Sequence, residues 1–192
     1  MLATLLLLLA PASDTPAIAV PQPTIDPTAL AVTDIDGQTH AVGPAEAVVV
    51  VFLKTGCPVA NYYHPTLRRL AVEWGDRVRL IQVHASGRVT AADARSHRDE
   101  YDVAGVVAVD PSQSLARALD AEITPEAFVL TPDGRVHYRG RIDDTYVGFG
   151  RRRQTVGDRT LADAVDAVLA GRPVETPRTD AVGCRIHYAA EK

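Results

Sequence analysis

An unbroken apolar run from Val48 to Leu53 has no polar position, which predicts a β-strand buried on both faces of a sheet. The run stops at Thr55-Gly56, and Cys57-Pro58 then opens a segment with the hydrophobic spacing of an amphipathic helix over 58–74. Pro65 removes a backbone hydrogen bond and therefore predicts a kink inside this helix.

The remaining chain alternates apolar runs with amphipathic segments, the pattern of an α/β protein. Strands are predicted at 78–83 and 103–109, and helices at 90–100, 112–120 and 159–170. An additional hairpin is predicted before the central strand, with arms at 29–33 and 39–42 around Asp36-Gly37.

Composition limits the classes of protein to consider. A chain of 192 residues with 46% hydrophobic residues suits one domain with a sizeable core. The net charge of −4, without a dominant basic patch, argues against a nucleic-acid partner. Two cysteines are too few for a disulfide scaffold, and no pattern in the sequence implies a cofactor.

The N-terminus predicts export. Residues 1–12 combine an apolar run with small residues at a cleavage-like site, which indicates a signal peptide. The run is shorter than the roughly 20 apolar residues that a membrane span needs. Residues 13–28 are predicted to be an irregular, proline-rich lead-in. The protein is therefore expected in the periplasm or secreted, where disulfides persist.

Cys57 is the residue with the clearest chemical potential. With Pro58 at the first helical position, Cys57 becomes the helix N-cap, and the free amides of the first turn face its sulfur. Those amides and the helix dipole favour the thiolate, so Cys57 is a candidate nucleophile. A small buried core residue is the structural alternative.

These features resemble the thioredoxin-like superfamily, in particular the redoxin branch of peroxiredoxins and exported thioredoxin-like reductases. The matching positions, in chain order, are Phe52, Thr55, Cys57, Pro65, Ile123-Thr124-Pro125, Ala127 to Leu130, Thr131 to Val136 and Tyr138 to Gly140. The resemblance implies a three-layer α/β/α sandwich over 29–172, with a central mixed sheet and an N-terminal hairpin extension. A tail, 173–192, follows.

The resemblance also implies a site. Cys57 would attack a disulfide or a peroxide, with Thr55 and Thr124 as the nearest hydroxyls, and Thr124-Pro125 would be a cis-proline loop that binds a partner polypeptide. Ala60 replaces the second cysteine of a Cys-x-x-Cys motif, and Thr55 stands two positions before Cys57, where peroxiredoxins have a threonine three before. Cys184 is then the candidate resolving cysteine, within the chain or across a homodimer.

Two other functions remain open. Cys184-x-x-His187 has ligand-like spacing and, with Cys57, could form a copper(I) site. The domain could also be a thioredoxin-like scaffold without catalysis.

Other polar residues are predicted to be structural. His64 is expected on the solvated face of its helix, and His84 at the carboxyl end of a strand is more often structural than catalytic. Arg139, Arg141 and the acidic residues near them are predicted to form a solvated, self-paired surface loop.

Overall fold

The structure, a computed structural model, describes residues 23–40 and 45–190. A five-stranded mixed sheet has the order β5-β4-β3-β7-β8, in which β3, β4 and β5 are parallel and β7 and β8 are antiparallel to their neighbours. The strands are β1 Val32–Thr33, β2 Thr39–His40, β3 Ala47–Leu53, β4 Val78–His84, β5 Val106–Val109, β6 Ile123–Thr124, β7 Glu126–Leu130, β8 Val136–Gly140, β9 Tyr146–Gly148, β10 Arg151–Arg152 and β11 Cys184–Arg185.

Helices cover both faces of this sheet. They are α1 Pro58–Tyr62, α2 His64–Trp74, α3 Ala91–Tyr101, α4 Ser114–Ala118 and α5 Thr160–Leu169, with 3₁₀ turns at Pro27–Leu30 and Gly75–Arg77. Alternate residues of β3 divide the core: Val49 and Val51 pack with α1, α2 and α5, whereas Val50 and Phe52 pack with α4. The predicted α/β/α sandwich with a mixed sheet is confirmed.

The predicted N-terminal hairpin is present as β1 and β2 around Asp36-Gly37, although residues 41 and 42 lie outside the described part of the chain. The signal-peptide interpretation of residues 1–12 also falls outside it. The end of the predicted irregular lead-in is ordered instead: Pro27–Leu30 is a 3₁₀ turn, and the Ile25 amide donates to the Gly134 carbonyl at 2.9 Å. The lead-in thus packs against the turn between β7 and β8.

Several predicted boundaries shift for local reasons. The helix predicted over 58–74 divides at Tyr63, and Pro65 lies in the first turn of α2, as its missing amide favours. β5 begins only at Val106, because Asp102 and Gly105 adopt left-handed backbone angles that end the preceding helix and re-aim the chain.

The tail adds a strand, β11, which pairs antiparallel with β6. It therefore belongs to the folded structure and does not extend away from it. Within 23–40 and 45–190, no helix is both long and apolar enough to cross a membrane.

Candidate active site

Cys57 lies at the carboxyl end of β3. Its amide donates to the Lys54 carbonyl at 2.9 Å, which closes the turn, and Pro58 begins α1 directly after it. The predicted position of Cys57 as the N-cap of this helix is confirmed. Its side chain is fully buried, at 0% exposure. The protonation of the Cys57 thiol is therefore set by the groups that contact it and not by solvent.

The tail brings the second cysteine to the first. Cys184 is the β-sheet partner of Thr124, and the Thr124 hydroxyl donates to the Cys184 carbonyl at 3.1 Å. On its other side, the Thr124 carbonyl accepts a hydrogen bond from the Cys57 thiol at 3.0 Å. Both cysteines are free thiols in this structure. One residue of the proline loop thus contacts both cysteines of the same chain.

The surroundings of the two sulfurs favour opposite protonation states. Burial raises the pKa of Cys57. Hydrogen bonds that its deprotonated sulfur would accept, from the Cys184 thiol and amide, the Ala60 amide and the Thr124 hydroxyl turned away from the Cys184 carbonyl, outweigh burial, so the pKa is lowered overall. Burial, and then the hydrogen bond and charge of Cys57, raise the pKa of Cys184 to about 11. Cys57 is therefore the more acidic thiol of the pair, and Cys184 keeps its proton to a higher pH.

The remaining predicted site residues are Thr55, Thr124 and Pro125. The Thr124-Pro125 peptide bond is cis, as predicted. Thr55 lies in the turn before Cys57, where its carbonyl accepts a hydrogen bond from the Asn61 amide group at 3.0 Å. The predicted role of the Thr55 hydroxyl beside the sulfur stays a prediction, because the groups that favour the thiolate are Cys184, Ala60 and Thr124.

A buried ion pair supports the proline loop, and sequence reasoning missed it. The Glu126 carboxylate accepts the backbone amides of Glu122 at 2.8 Å and Ile123 at 3.3 Å. Its other oxygen pairs with the Arg139 guanidinium at 2.8 Å. Glu126 thereby holds the two residues before Thr124. The available signal was a single charged residue opening the otherwise apolar strand Glu126–Leu130.

The loop between β8 and β9 also differs from the sequence prediction. It was predicted to be a solvated surface, but Ile142, Asp143 and Asp144 are buried. The Asp143 carboxylate accepts hydrogen bonds from the Tyr63 hydroxyl at 2.7 Å and the Thr145 amide at 2.9 Å. These contacts attach the loop to the break between α1 and α2, next to Cys57.

Three histidines form a buried cluster that the sequence did not reveal. His64 is 1% exposed, against the predicted solvated position, because the chain restarts its helical phase after the break at Tyr63. The His97 ring packs edge-on against the rings of His64 and His84, with centroids 5.2 and 5.1 Å away. Both ring nitrogens of His64 and of His84 have no hydrogen-bond partner among the described residues.

His64 and His84 lack hydrogen-bond partners among the described residues, so burial decides their protonation. Burial first, and then the charges of neighbouring groups with His97 foremost, lower the pKa of each to about 4. The Nε2–H of His97 donates to the Asn61 side-chain oxygen at 3.0 Å. Since Asn61 also bonds the Thr55 carbonyl, the cluster is joined to the turn that precedes Cys57.

The copper(I) alternative is not supported. Over 23–40 and 45–190, no three His, Cys, Asp or Glu side chains converge closely enough to hold a metal ion. Strand β11 contains only Cys184 and Arg185, so His187 lies beyond its end. Cys184 faces Cys57, whereas His187 is exposed. Ligand-like spacing in the sequence therefore does not become a ligand set.

The mixed sheet, the N-capping cysteine and the cis-proline loop together define a thioredoxin-like fold. The chain is similar to a hypothetical protein from Sinorhizobium meliloti, with 26% identity, a TM-score of 0.72, and coverage of 84% of this chain and 91% of that one. An uncharacterized conserved protein from Geobacillus kaustophilus has 23% identity and a TM-score of 0.73, covering 93% and 96%.

Among thioredoxin-like proteins of stated activity, a secreted disulfide oxidoreductase of Mycobacterium tuberculosis has a TM-score of 0.50. It shares 14% identity, over 73% of this chain and 94% of that one. No model of a known protein family matches this sequence, and no curated protein matches it. At these identities the likeness to oxidoreductases concerns the fold, and the chemistry has to be argued from the site.

Proposed function

We propose that this protein is a thiol-disulfide oxidoreductase in which Cys57 attacks and Cys184 resolves. The observation that carries the proposal is the contact of Thr124 with both cysteines of one chain. The lowered pKa of Cys57 and the raised pKa of Cys184 support Cys57 as the attacking thiol. A scaffold without catalysis has no need for this arrangement. The disulfide oxidoreductase activity stated for the M. tuberculosis relative agrees with it.

The first step is attack of the Cys57 thiolate on one sulfur of a partner disulfide. The partner's S–S bond breaks, a Cys57–partner S–S bond forms, and the leaving partner sulfur departs as a thiolate that takes a proton from solvent. Thr124 and Pro125 form the wall beside Cys57 on which the partner polypeptide would lie. In this proposal the Thr55 hydroxyl is a further donor to the Cys57 sulfur.

The second step uses Cys184. Once Cys57 is part of a disulfide, its negative charge is gone, and with it two of the causes that raise the pKa of Cys184. Cys184 then loses its proton more readily and attacks the Cys57 sulfur. A Cys57–Cys184 disulfide forms, the Cys57–partner bond breaks, and the partner's second sulfur leaves as a thiolate that takes a proton from solvent. Two electrons pass from the cysteine pair to the partner.

Oxidised glutathione, a small disulfide, tests this sequence of steps. Reduced protein should convert to a form with an intramolecular Cys57–Cys184 disulfide, detected by mass spectrometry of non-reduced peptides. Cys184→Ser should stop at one glutathione adduct on Cys57, and Cys57→Ser should remain unmodified over the same period. Adducts forming on both cysteines at similar rates, without an intramolecular disulfide, would contradict the proposal.

Hydrogen peroxide, added in a parallel reaction, distinguishes the second oxidant class. A disulfide exchanger should form the Cys57–Cys184 bond faster with glutathione disulfide than with an equal concentration of peroxide. Faster reaction with peroxide, and sulfenic acid on Cys57 in Cys184→Ser, would make the protein a peroxidase.

We also propose that the protein works outside the cytoplasm. The signal-peptide pattern of residues 1–12 supports this, and the secreted M. tuberculosis relative is in keeping with it. Mass spectrometry of natively expressed protein should show a new N-terminus at or soon after Ser13. Retention of Met1 on cytoplasmic protein would contradict export.

A further inference from the structure

The C-terminal tail follows the edge of the sheet before it reaches the cysteines. The Arg139 amide donates to the Pro177 carbonyl, and the Thr179 amide donates back to the Arg139 carbonyl, each at 3.0 Å. The chain then crosses to β6, where Cys184 pairs with Thr124 and the Ile186 amide donates to the Glu122 carbonyl at 2.8 Å. Residues 183–186 are named the tail strand below.

The tail strand covers the site that a partner needs. Cys57 is fully buried, and Cys184 lies against its sulfur. The backbone of Thr124, whose carbonyl contacts the Cys57 thiol, is paired with the tail strand along its free edge. A partner polypeptide that added a strand at this edge would require the same backbone groups.

Gly183 shows how closely the tail strand is fitted. A Cβ at position 183 would overlap the Thr124 carbonyl oxygen and would come within 3.2 Å of the Pro125 ring. Since the oxygen belongs to the backbone, it cannot move aside as a flexible side chain would. Only glycine allows the tail to approach the proline loop at this position.

We propose that the tail strand and the partner polypeptide occupy the Thr124 edge alternately. This inference rests on the proposed function and adds its order of events. The partner, an extended segment carrying a disulfide, first displaces residues 183–186 and so exposes Cys57. The tail strand then returns, delivers Cys184 to the mixed disulfide, and takes back the edge from the partner.

The return of the tail strand couples formation of the Cys57–Cys184 disulfide to release of the partner. Cys184 attacks the Cys57 sulfur, the Cys57–Cys184 bond forms, and the Cys57–partner bond breaks with the partner sulfur leaving as a thiolate that takes a proton from solvent. At the same time the tail backbone recovers its hydrogen bonds to Thr124 and Glu122. The reduced partner therefore loses its covalent bond and its binding edge together.

The tail has an anchor beyond the tail strand that can be weakened without touching the cysteines. The Tyr188 hydroxyl donates to the Ala121 carbonyl at 2.5 Å, and the Arg117 guanidinium lies over the Tyr188 ring, 4.7 Å from its centroid. Gln113 fastens the same segment: its side chain donates to the His187 carbonyl at 2.9 Å and accepts from the Ala189 amide at 2.8 Å. Loosening this anchor should raise the population of the open site.

The experiment measures attack alone, in a Cys184→Ser background. The probe is a short cysteine peptide activated as a mixed disulfide with thionitrobenzoate, whose release is followed by absorbance. Adding Tyr188→Ala should accelerate release about tenfold, as expected for loss of one hydrogen bond and one cation–π contact. Gly183→Ala should accelerate it as well. Val72→Ala, an exposed residue of α2, should leave the rate unchanged.

Hydrogen exchange gives a second, structural result. The Ile186 amide should be protected in the free Cys184→Ser protein and should lose its protection when the peptide is joined to Cys57. Equal release rates in the Tyr188→Ala and Gly183→Ala variants and their parent would contradict alternate occupancy, as would an Ile186 amide that stays protected in the adduct. Failure of Cys57 to react with the peptide in every variant, loosened ones included, would instead contradict the proposed function.

Discussion

Cys57 and the histidine cluster are two buried ionisable sites at the ends of neighbouring parallel strands. One site favours the charged form of its side chain, and the other favours the neutral form. Leu53, at the end of β3, is paired in register with His84, at the end of β4. Both sites are almost fully removed from solvent. Yet the lowered pKa of Cys57 favours its charged thiolate, whereas the lowered pKa of His64 and of His84 favours their neutral imidazoles.

The difference lies in the hydrogen bonds and not in the burial. Burial penalises charge at both sites and is the largest single cause at each. Around Cys57, hydrogen bonds from the Cys184 thiol and amide, the Ala60 amide and the Thr124 hydroxyl outweigh the penalty. Around His84 no partner is present in the described residues, so the penalty stands. Neighbouring positions at the carboxyl ends of two parallel strands can therefore favour a thiolate at one site and a neutral imidazole at the other.

The largest expected effect is acid destabilisation by the histidine cluster. His64 and His84 have a pKa of about 4 when folded and an ordinary value of 6.5 when unfolded, so the unfolded chain binds more protons between these pH values. Stability is therefore complete above pH 6.5 and is lost as the pH falls towards 4. We expect a loss on the order of 2 to 3 kcal/mol for each histidine.

Urea unfolding at pH 7 and at pH 4.5 measures this loss. His84→Phe should reduce the difference in unfolding free energy between the two pH values, because the variant has one buried imidazole fewer to protonate. His187→Gln, at an exposed position, is the matched control and should keep the full difference. The contrast between the two sites fails if His84→Phe and the parent protein lose the same stability in acid.

A smaller effect is expected from the buried ion pair behind the proline loop. Glu126→Gln removes the charge that faces Arg139 and weakens the support of the Glu122 and Ile123 amides. We expect about 2 to 3 kcal/mol of lost unfolding free energy and slower disulfide exchange, since Thr124 loses its fixed position. Both are measured at pH 7 by urea unfolding and by the glutathione reaction.

Glu122→Gln is the control for this variant. Glu122 is exposed and lies 3.9 Å from Arg139, so its loss should change stability by less than about 1 kcal/mol. Equal stability of the Glu126 and Glu122 variants would mean that the buried pair does not hold the loop.

The smallest effect is expected from the Thr124 hydroxyl. Thr124→Val removes one donor that favours the Cys57 thiolate, worth about 1 kcal/mol, and so should raise the pKa of Cys57 and slow its alkylation at neutral pH. Thr124→Ser keeps the hydroxyl and should behave like the parent. If valine and serine variants are alkylated at the same rate, the hydroxyl does not stabilise the thiolate.

Local signals in the sequence predicted most of one site and none of the other. The apolar strand, the Cys57-Pro58 helix start and the Thr124-Pro125 loop are each contained in a short segment, so the position of Cys57 and the fold could be predicted. The sequence left open whether Cys184 acts within the chain or across a homodimer. It did not predict the pairing of the tail with β6, because nothing local in residues 173–192 specifies which edge they join.

The histidine cluster could not be predicted in the same way. His64, His84 and His97 come from three different elements and meet only through tertiary packing. A continuous helical period predicts the wrong face for His64, because the helix breaks at Tyr63 and α2 starts a new period there. Glu126 offered a local signal, a charge at the start of an apolar strand, but its partner Arg139 lies on the next strand.

The most direct test of the account is the pH dependence of iodoacetamide alkylation, followed separately at each cysteine by mass spectrometry. Cys57 should titrate below the ordinary pKa of a thiol, and Cys184 should titrate at about 11. In Cys57→Ser the pKa of Cys184 should fall, because the charge and hydrogen bond of Cys57 are gone. If both cysteines titrate alike in the parent protein, and the pKa of Cys184 is unchanged in Cys57→Ser, the two sulfurs do not form the attacking and resolving pair.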